Sequence, residues 1–273
     1  MPVTLPSQQP YVIIPTYNEA GNITHALERI LAAVPAAHVV VVDDSSPDGT
    51  AEIVKDFAFR DPRVQVMVRA GKQGLGSAYR FGFAHGMKCG ATALIEMDAD
   101  LSHEPEALPF LLQALDQGSD LAIGSRYISG GDSPGLSASR LALSKGGNLY
   151  ARISLGLKIH DATSGFRAYR PSLLKDINLD TVGADGYGFQ IEMVFRSTLL
   201  GATITECPII FRQRIEGISK MSNEIVKEAM FLCTVWGVQR RLRQILGRKS
   251  DFVPYHKDSG SVVSSIITAI ENH

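Results

Sequence analysis

Apolar and polar positions follow two rhythms along the first half of the chain. Tyr11, Val12, Ile13 and Ile14 form an uninterrupted β-rich run that Pro15 closes. Ala26, Ile30, Leu31 and Val34 then recur at helical spacing. Val39, Val40, Val41 and Val42 are apolar at every position, as a parallel strand covered on both faces should be. The turn that follows, Asp43-Asp44-Ser45-Ser46-Pro47-Asp48-Gly49-Thr50, is rich in helix-capping residues. The pattern continues with a helix over 51–59, a strand over 64–68, a helix over 77–87 and a strand over 92–96. Ser102 is a candidate cap for the next helix, Pro105 suits its first turn, and a strand over 120–123 closes the series. Strands alternating with helices predict right-handed crossovers and an α/β fold, a mostly parallel central sheet flanked by helices.

The second half is less regular. Residues 129–139 are rich in Gly, Ser and Pro and read as a mobile loop. A helix is expected over 140–155, a turn then strand over 161–170, a helix over 190–200, a strand over 203–211 and a long helix over 223–246. The Ser-rich tail over 250–273 is expected to lack fixed structure, apart from a short apolar helix over 262–270.

At 273 residues the chain can bury one sizeable core, and a hydrophobic fraction of 45% is ordinary for a globular protein. A net charge of −1 gives no basic excess, and nucleic acid is not an expected partner. Cys89, Cys207 and Cys233 are far apart and form no CxxC pair, so they read as reduced thiols rather than zinc ligands. The first ten residues lack the basic and apolar regions of a signal peptide. No uncharged apolar run reaches the roughly 18–20 residues that span a bilayer. A soluble protein, or one attached to a membrane surface, is expected.

Candidate chemistry gathers at the predicted carboxyl ends of strands, where open parallel sheets bind ligands. Pro15-Thr16-Tyr17-Asn18-Glu19 follows the first strand, Asp43-Asp44 the second, Asp98-Ala99-Asp100 the fourth and Arg126 the fifth. Two carboxylates one residue apart can share a divalent cation, and such a cation can grip a diphosphate as a leaving group. Alone, Asp-x-Asp is better explained by a turn and a helix cap; the company of the other clusters favours a site. Asp44 and Glu19 can accept from the hydroxyls or base of a nucleoside, and Tyr17 can pack on the base. The glycine-rich turn over 71–76 has neither the Walker pattern nor the dinucleotide fingerprint. It reads as a tight turn that lets its helix pack closely, with a phosphate cradle as the alternative. The missing fingerprint also disfavours a dinucleotide dehydrogenase.

The strings VIIPTYNEAGNI, VVVVDDSSPDGT, GLGSAYRFGF, MDADLSHEPE, AIGSRY, SGFRAYR and FRQRIEGISKM occur in this order over roughly residues 10–222. Together they resemble the dolichol-phosphate mannosyltransferase group of family 2 glycosyltransferases, which have the GT-A fold. The resemblance implies a catalytic domain over 1–222, with a nucleotide-sugar half over 10–125 and an acceptor half over 126–222. It places donor contacts on Pro15, Tyr17, Glu19, Val42, Asp44, Asp98, Ala99 and Asp100, and Mg²⁺ or Mn²⁺ on Asp98 and Asp100. Many relatives have Gln as a further metal ligand where this chain has Ser102, whose hydroxyl reaches less far. Gln190 aligns with a lysine of some relatives. Arg126, Arg140 and Ser144 match the family's acceptor-phosphate positions. Arg presents a planar fork suited to phosphate, and residues four apart share a helix face. Arg214 and Lys220 fall in a loop able to close over the donor phosphates.

The resemblance implies transfer of mannose from GDP-mannose to a polyprenyl monophosphate in one inverting displacement. The phosphate is largely dianionic at neutral pH and needs no general base, so none is assigned to His103 or His160. Asp100, Arg126, Arg140, Ser144, Arg214 and Lys220 would carry the reaction. Transfer from UDP-glucose or another nucleotide sugar is one alternative, and a nucleotide-sugar-binding subunit without turnover is another. The basic helix over 223–249, with Trp236 on it, suits an anionic membrane surface, and 141–157 is a second candidate surface element. A core helix with a solvated basic end explains the former nearly as well. Peripheral attachment on the cytoplasmic face is expected, with an integral-membrane protein as a candidate partner.

Overall fold

The apolar runs sort by parity onto the two faces of one sheet. In β1 (Pro10–Thr16), Tyr11 and Ile13 join one buried cluster, while Val12 and Ile14 join another. In β2 (His38–Asp43), Val40 and Val42 go to the first cluster, and Val39 and Val41 to the second. This is what a strand's two-residue period does when both faces are covered. A computed structural model describes residues 9–212 and 223–245.

After β1 come α1 (Ile23–Ala33), β2, α2 (Thr50–Arg60), β3 (Val64–Val68), α3 (Leu75–Lys88), β4 (Ala93–Glu96), a 3₁₀ turn (Pro105–Ala107), α4 (Leu108–Asp116) and β5 (Leu121–Ser125). The second half adds α5 (Ala138–Leu155), β6 (Arg167–Tyr169), α6 (Pro171–Ile177), α7 (Gly186–Leu199), β7 (Ile204–Pro208) and α8 (Asn223–Ile245). Strand order is β3-β2-β1-β4-β6-β5-β7. All described pairings are parallel except those of β6, which runs against both β4 and β5. The carboxyl ends of the other strands therefore share one rim, and the start of β6 joins them there. Helices α1, α2 and α4 pack on one face; α3, α5, α6, α7 and α8 build the other.

Several expectations need correction. Ser102 caps no helix: the 3₁₀ turn begins at Pro105 with Glu104 before it, and Ser102 Oγ is buried with no hydrogen-bond partner among the described residues. The helix expected from 190 begins at Gly186, because Gly-rich sequence hid its first turn. The strand over 203–211 stops at Pro208, which has no N–H to extend the ladder. Helix α6 was not foreseen. The loop over 129–139 is tied down, with Asp132 donating to the Ile209 carbonyl and accepting from Phe211 N. The tail over 250–273 and the helix over 262–270 lie outside the described residues.

Helix α8 docks against α5 in parallel. Tyr150 pairs with Thr234 at 2.7 Å, a β-carbon on Gly237 would stand 2.5 Å from the Ser154 carbonyl oxygen, and Arg240 donates to the Leu155 carbonyl. Trp236, expected at a membrane surface, is 1% exposed and stacks near Phe195. The core-helix reading thus holds for the inward face of α8, and Arg240 caps α5 instead of facing solvent.

Candidate functional site

The rim carries three unusual backbone conformations. Among the non-glycine residues, Asn18 (φ 59°), Ser45 (φ 55°) and Leu101 (φ 57°) are left-handed, each in the loop after a strand that ends there. A left-handed Leu costs about 1–2 kcal/mol, and such strain clusters at functional sites. In the loop after β4 it turns the chain so that Asp100 Oδ1 accepts from Ser102 N at 3.0 Å. Asp98 is half-buried, Ala99 and Asp100 buried.

Asp98 Oδ1 receives the Tyr79 hydroxyl at 3.2 Å, from a fully buried ring on α3. Burial first, then the Asp98 and Glu96 charges, push the Tyr79 phenol well above its ordinary value, so it stays a donor. Gln190 borders the same spot. A β-carbon on Gly165 would lie 3.7 Å from Gln190 Nε2 and 3.8 Å from Asp98 Oδ2. The Gln190 amide makes no close hydrogen bond, though it lies beside Glu96. Beneath them Glu96 is buried against Arg167, its register partner on β6. Burial raises its carboxyl above the usual range despite that arginine.

Among the described residues no group of three His, Cys, Asp or Glu side chains could hold a metal unaided. Asp98 and Asp100 still fit a hard cation whose remaining ligands are diphosphate oxygens and water, the usual shell of Mg²⁺ in nucleotide sites.

Among the candidate nucleoside contacts, Pro15 and Tyr17 are half-buried, and Val42, the register partner of Pro15, is buried. Lys72 Nζ sits 5.1 Å from the Tyr17 ring centroid. The Glu19 carboxylate accepts from Asn22 at 3.0 Å. Asp44 is more committed than the sequence implied. Arg69 Nε donates to its Oδ1 at 2.6 Å and Gln73 N to its Oδ2 at 3.2 Å, tying the glycine-rich turn to β2. That turn is braced from the far side by Asp185, which accepts from Gly76 N at 2.7 Å. The bracing favours the structural reading of the glycines.

The acceptor candidates converge. A cavity of about 280 Å³ is lined by the polar residues Ser102, Arg126, Arg140 and Ser144 and by the apolar residues Leu143, Ile191, Ala229, Met230 and Cys233, among others. Arg126 is not a free cation. Its Nε and Nη2 each reach an Asp161 oxygen at 2.7 Å, and Asp161 is fully buried. Burial alone would raise Asp161, but the charge and hydrogen bonds of Arg126 hold it below the usual carboxylate range. Tyr127 donates to Ser144 Oγ at 2.6 Å, and Asn148 bridges the Ser144 carbonyl and Thr163. Arg140 is exposed on the first turn of α5.

His103 is buried between the rings of Phe166 and Phe211, a packing role in the loop after Asp100. His160 pairs with Glu206 at 2.9 Å. Arg214 and Lys220 lie outside the described residues. Reading the sequence missed Arg69, Tyr79, Asp161 and Phe211. Only Asp161 carried a local signal, heading the turn before the SGFR string.

The chain matches the sequence profile of Glycosyl transferase family 2 over residues 11–177. It is 48% identical over 243 residues to a polyprenol monophosphomannose synthase of Mycolicibacterium smegmatis, covering 89% of this chain and 92% of that one. It is also 48% identical, over 236 residues, to an undecaprenyl-phosphate mannosyltransferase of Micrococcus luteus, covering 86% and 97%. In fold it is similar to a mannosyltransferase of Pyrobaculum calidifontis solved with GDP-Man and Mn²⁺, with a TM-score of 0.53 at 17% identity, covering 96% and 72%.

Proposed function

The chain belongs to glycosyl transferase family 2, and from that premise we propose that it transfers mannose from GDP-mannose to a polyprenyl monophosphate, releasing GDP and inverting the anomeric centre. The observation that carries this reading is the cavity. Its lining combines the arginines Arg126, Arg140 and Arg212 and the Ser144 hydroxyl with apolar side chains of α5, α7 and α8, and Ser102 of the Asp98–Asp100 loop lines it too. An amphiphile with an anionic head and an isoprenoid tail suits such a space, its head toward the rim where a nucleotide sugar would lie. The 48% identity to two polyprenyl-phosphate mannosyltransferases supports the acceptor and the sugar; guanine as the donor's base is supported by the family resemblance and by the GDP-Man held in one structural neighbour.

In this reading Tyr17, Glu19 and Asp44 bind the nucleoside, with Pro15, Val42 and Ala99 shaping its pocket. Asp98 and Asp100 would hold a divalent cation, whose charge would stabilise the departing diphosphate. Gln190 sits on the Asp98 side of the sugar, without the positive charge that some relatives have there. Arg126, Arg140 and Ser144 hold the acceptor phosphate in line with the sugar C1, and orientation of this kind replaces a catalytic base. Arg214 and Lys220, by the family resemblance, would supply positive charge to the leaving group.

Among the described residues no helix is long and apolar enough to cross a membrane. Helices α5 and α8 expose Leu143, Leu149, Ile153, Met230, Phe231, Val238 and Ile245, with Lys145, Lys227 and Arg241 beside them. We read this face as the contact with an anionic bilayer, which would supply the acceptor directly to the cavity between the same helices.

The test is to offer the purified protein radiolabelled GDP-mannose, UDP-glucose and UDP-N-acetylglucosamine with a short polyprenyl phosphate, with and without Mg²⁺ or Mn²⁺. A metal-dependent mannolipid from GDP-mannose is expected. A glucolipid instead would replace the donor, and absence of any lipid product would favour a binding subunit without turnover.

A further inference from the structure

Arg126 is gripped by more than Asp161. Its Nη2 also donates to Thr163 at 2.9 Å, and its backbone N–H donates to Asp161 at 3.0 Å. Two aromatic rings lie against the guanidinium, Tyr127 at 5.0 Å and Phe211 at 5.2 Å from ring centroid to Cζ. Among the described residues nothing accepts from Nη1, which leaves that group for a ligand in the cavity.

Phe211 differs from the other restraints in what else it touches. Its ring meets the His103 ring edge-on at 5.2 Å, and His103 stacks flat on Phe166 at 5.2 Å. Its backbone pairs with His103 as an isolated antiparallel bridge, and Arg212 N donates to the Ser102 carbonyl at 2.9 Å. On its other side Phe211 N donates to the Asp132 carbonyl at 2.9 Å, fixing the loop after Arg126. One half-buried ring therefore joins the loop that follows Asp98 and Asp100 to the arginine of the cavity.

We propose that Phe211 is a positioning residue, whose ring sets the Arg126 guanidinium at a fixed place relative to the Asp98–Asp100 loop. Arginine has a long, flexible stem, and a cation held over a π face and at one edge loses little further freedom when an anion arrives. The inference rests on the reading of Arg126 as an acceptor-phosphate ligand. It adds that an aromatic face, not apolar bulk, is required at 211.

The experiment compares Phe211→Leu, Phe211→Tyr and Arg126→Ala in the full chain. It measures kcat and KM for a short polyprenyl phosphate, the Kd for GDP with Mn²⁺, and the melting temperature. Phe211→Leu should raise the acceptor KM about tenfold and lower kcat, as loss of a desolvated cation–π contact would, with GDP binding unchanged. Phe211→Tyr, which keeps the ring, should stay near wild type. If Phe211→Leu matches wild type while Arg126→Ala raises the acceptor KM, Phe211 is packing alone and the inference falls. If Arg126→Ala leaves the acceptor KM unchanged, the underlying reading of Arg126 falls first, and the inference with it. Should Phe211→Leu melt early, Phe211→Met decides by the same comparison.

Discussion

Asp100 and the Arg126–Asp161 pair concentrate what single side chains do in this molecule. Asp100→Asn keeps the shape and an acceptor for Ser102 N but removes a charge. It should lower turnover by about 10²–10³-fold, the usual scale for one transition-state charge stabiliser, and weaken Mn²⁺ binding in a calorimetric titration, with the circular dichroism spectrum unchanged. Asp161 makes a pH prediction. Its folded carboxyl is held below the ordinary range by Arg126 against the cost of burial. A depressed carboxyl adds stability that is complete above the unfolded value near ~4 and disappears as pH falls through the folded value. Urea midpoints of the wild type should therefore drop between about pH 5 and 2, and Asp161→Asn should flatten that slope. These partners explain what sequence could and could not disclose. Asp98 and Asp100 are legible because two carboxylates one residue apart have a chemistry of their own, and Arg126 because it sits at a predicted strand end. Asp161 lies 35 residues from the arginine it fixes, and Arg69 lies 25 from Asp44. Only the closing of the sheet brings either pair together, so no local pattern marks the partnership, although Asp161 itself heads the turn before the SGFR string.

At the scale of elements, α5 and α8 divide into an inward and an outward face with separate consequences. Trp236→Ala should cost about 3–5 kcal/mol, the range for emptying a large aromatic site in a core, read as a lowered urea midpoint. The double change Ile153→Ser and Phe231→Ser touches exposed positions only. It should leave that midpoint nearly unmoved yet reduce co-sedimentation with anionic vesicles severalfold; unchanged sedimentation would remove this face as the anchor. Gly74→Ala tests the brace between halves. Its backbone is left-handed at φ 92°, and an added β-carbon would meet Asp185 Oδ2 at 2.1 Å. The change should displace the turn from Asp44 and weaken nucleotide binding more than acceptor binding. Amphipathic spacing revealed α8 as a helix but not which face turns inward, since Trp and Arg serve a membrane or a core equally well. Packing decided it: Gly237 admits the α5 backbone, and Arg240 then reaches the carbonyl end of that helix.

Across the whole molecule, the proposed reaction asks for two unlike ligands at one rim. The six co-directed strands bring Tyr17, Asp44 and the Asp98–Asp100 loop to that rim, and the antiparallel β6 pairs Arg167 with Glu96 in the middle. The α/β order and mostly parallel sheet were readable from alternating apolar runs. The reversal at β6 was not, because a three-residue strand leaves almost no periodicity. In the proposed reaction, the acceptor phosphate approaches C1 from the cavity side while GDP departs on the Asp98–Asp100 side. Displacement along that axis leaves no covalent sugar on the protein and must turn the α linkage of GDP-mannose into a β linkage. The most direct test is to isolate the lipid made from GDP-mannose and a short polyprenyl phosphate and to read the one-bond carbon–proton coupling at the mannose C1. A β-linked mannosyl phosphate is the predicted result; an α-linked product, which needs two displacements or front-face attack, would contradict a single in-line transfer.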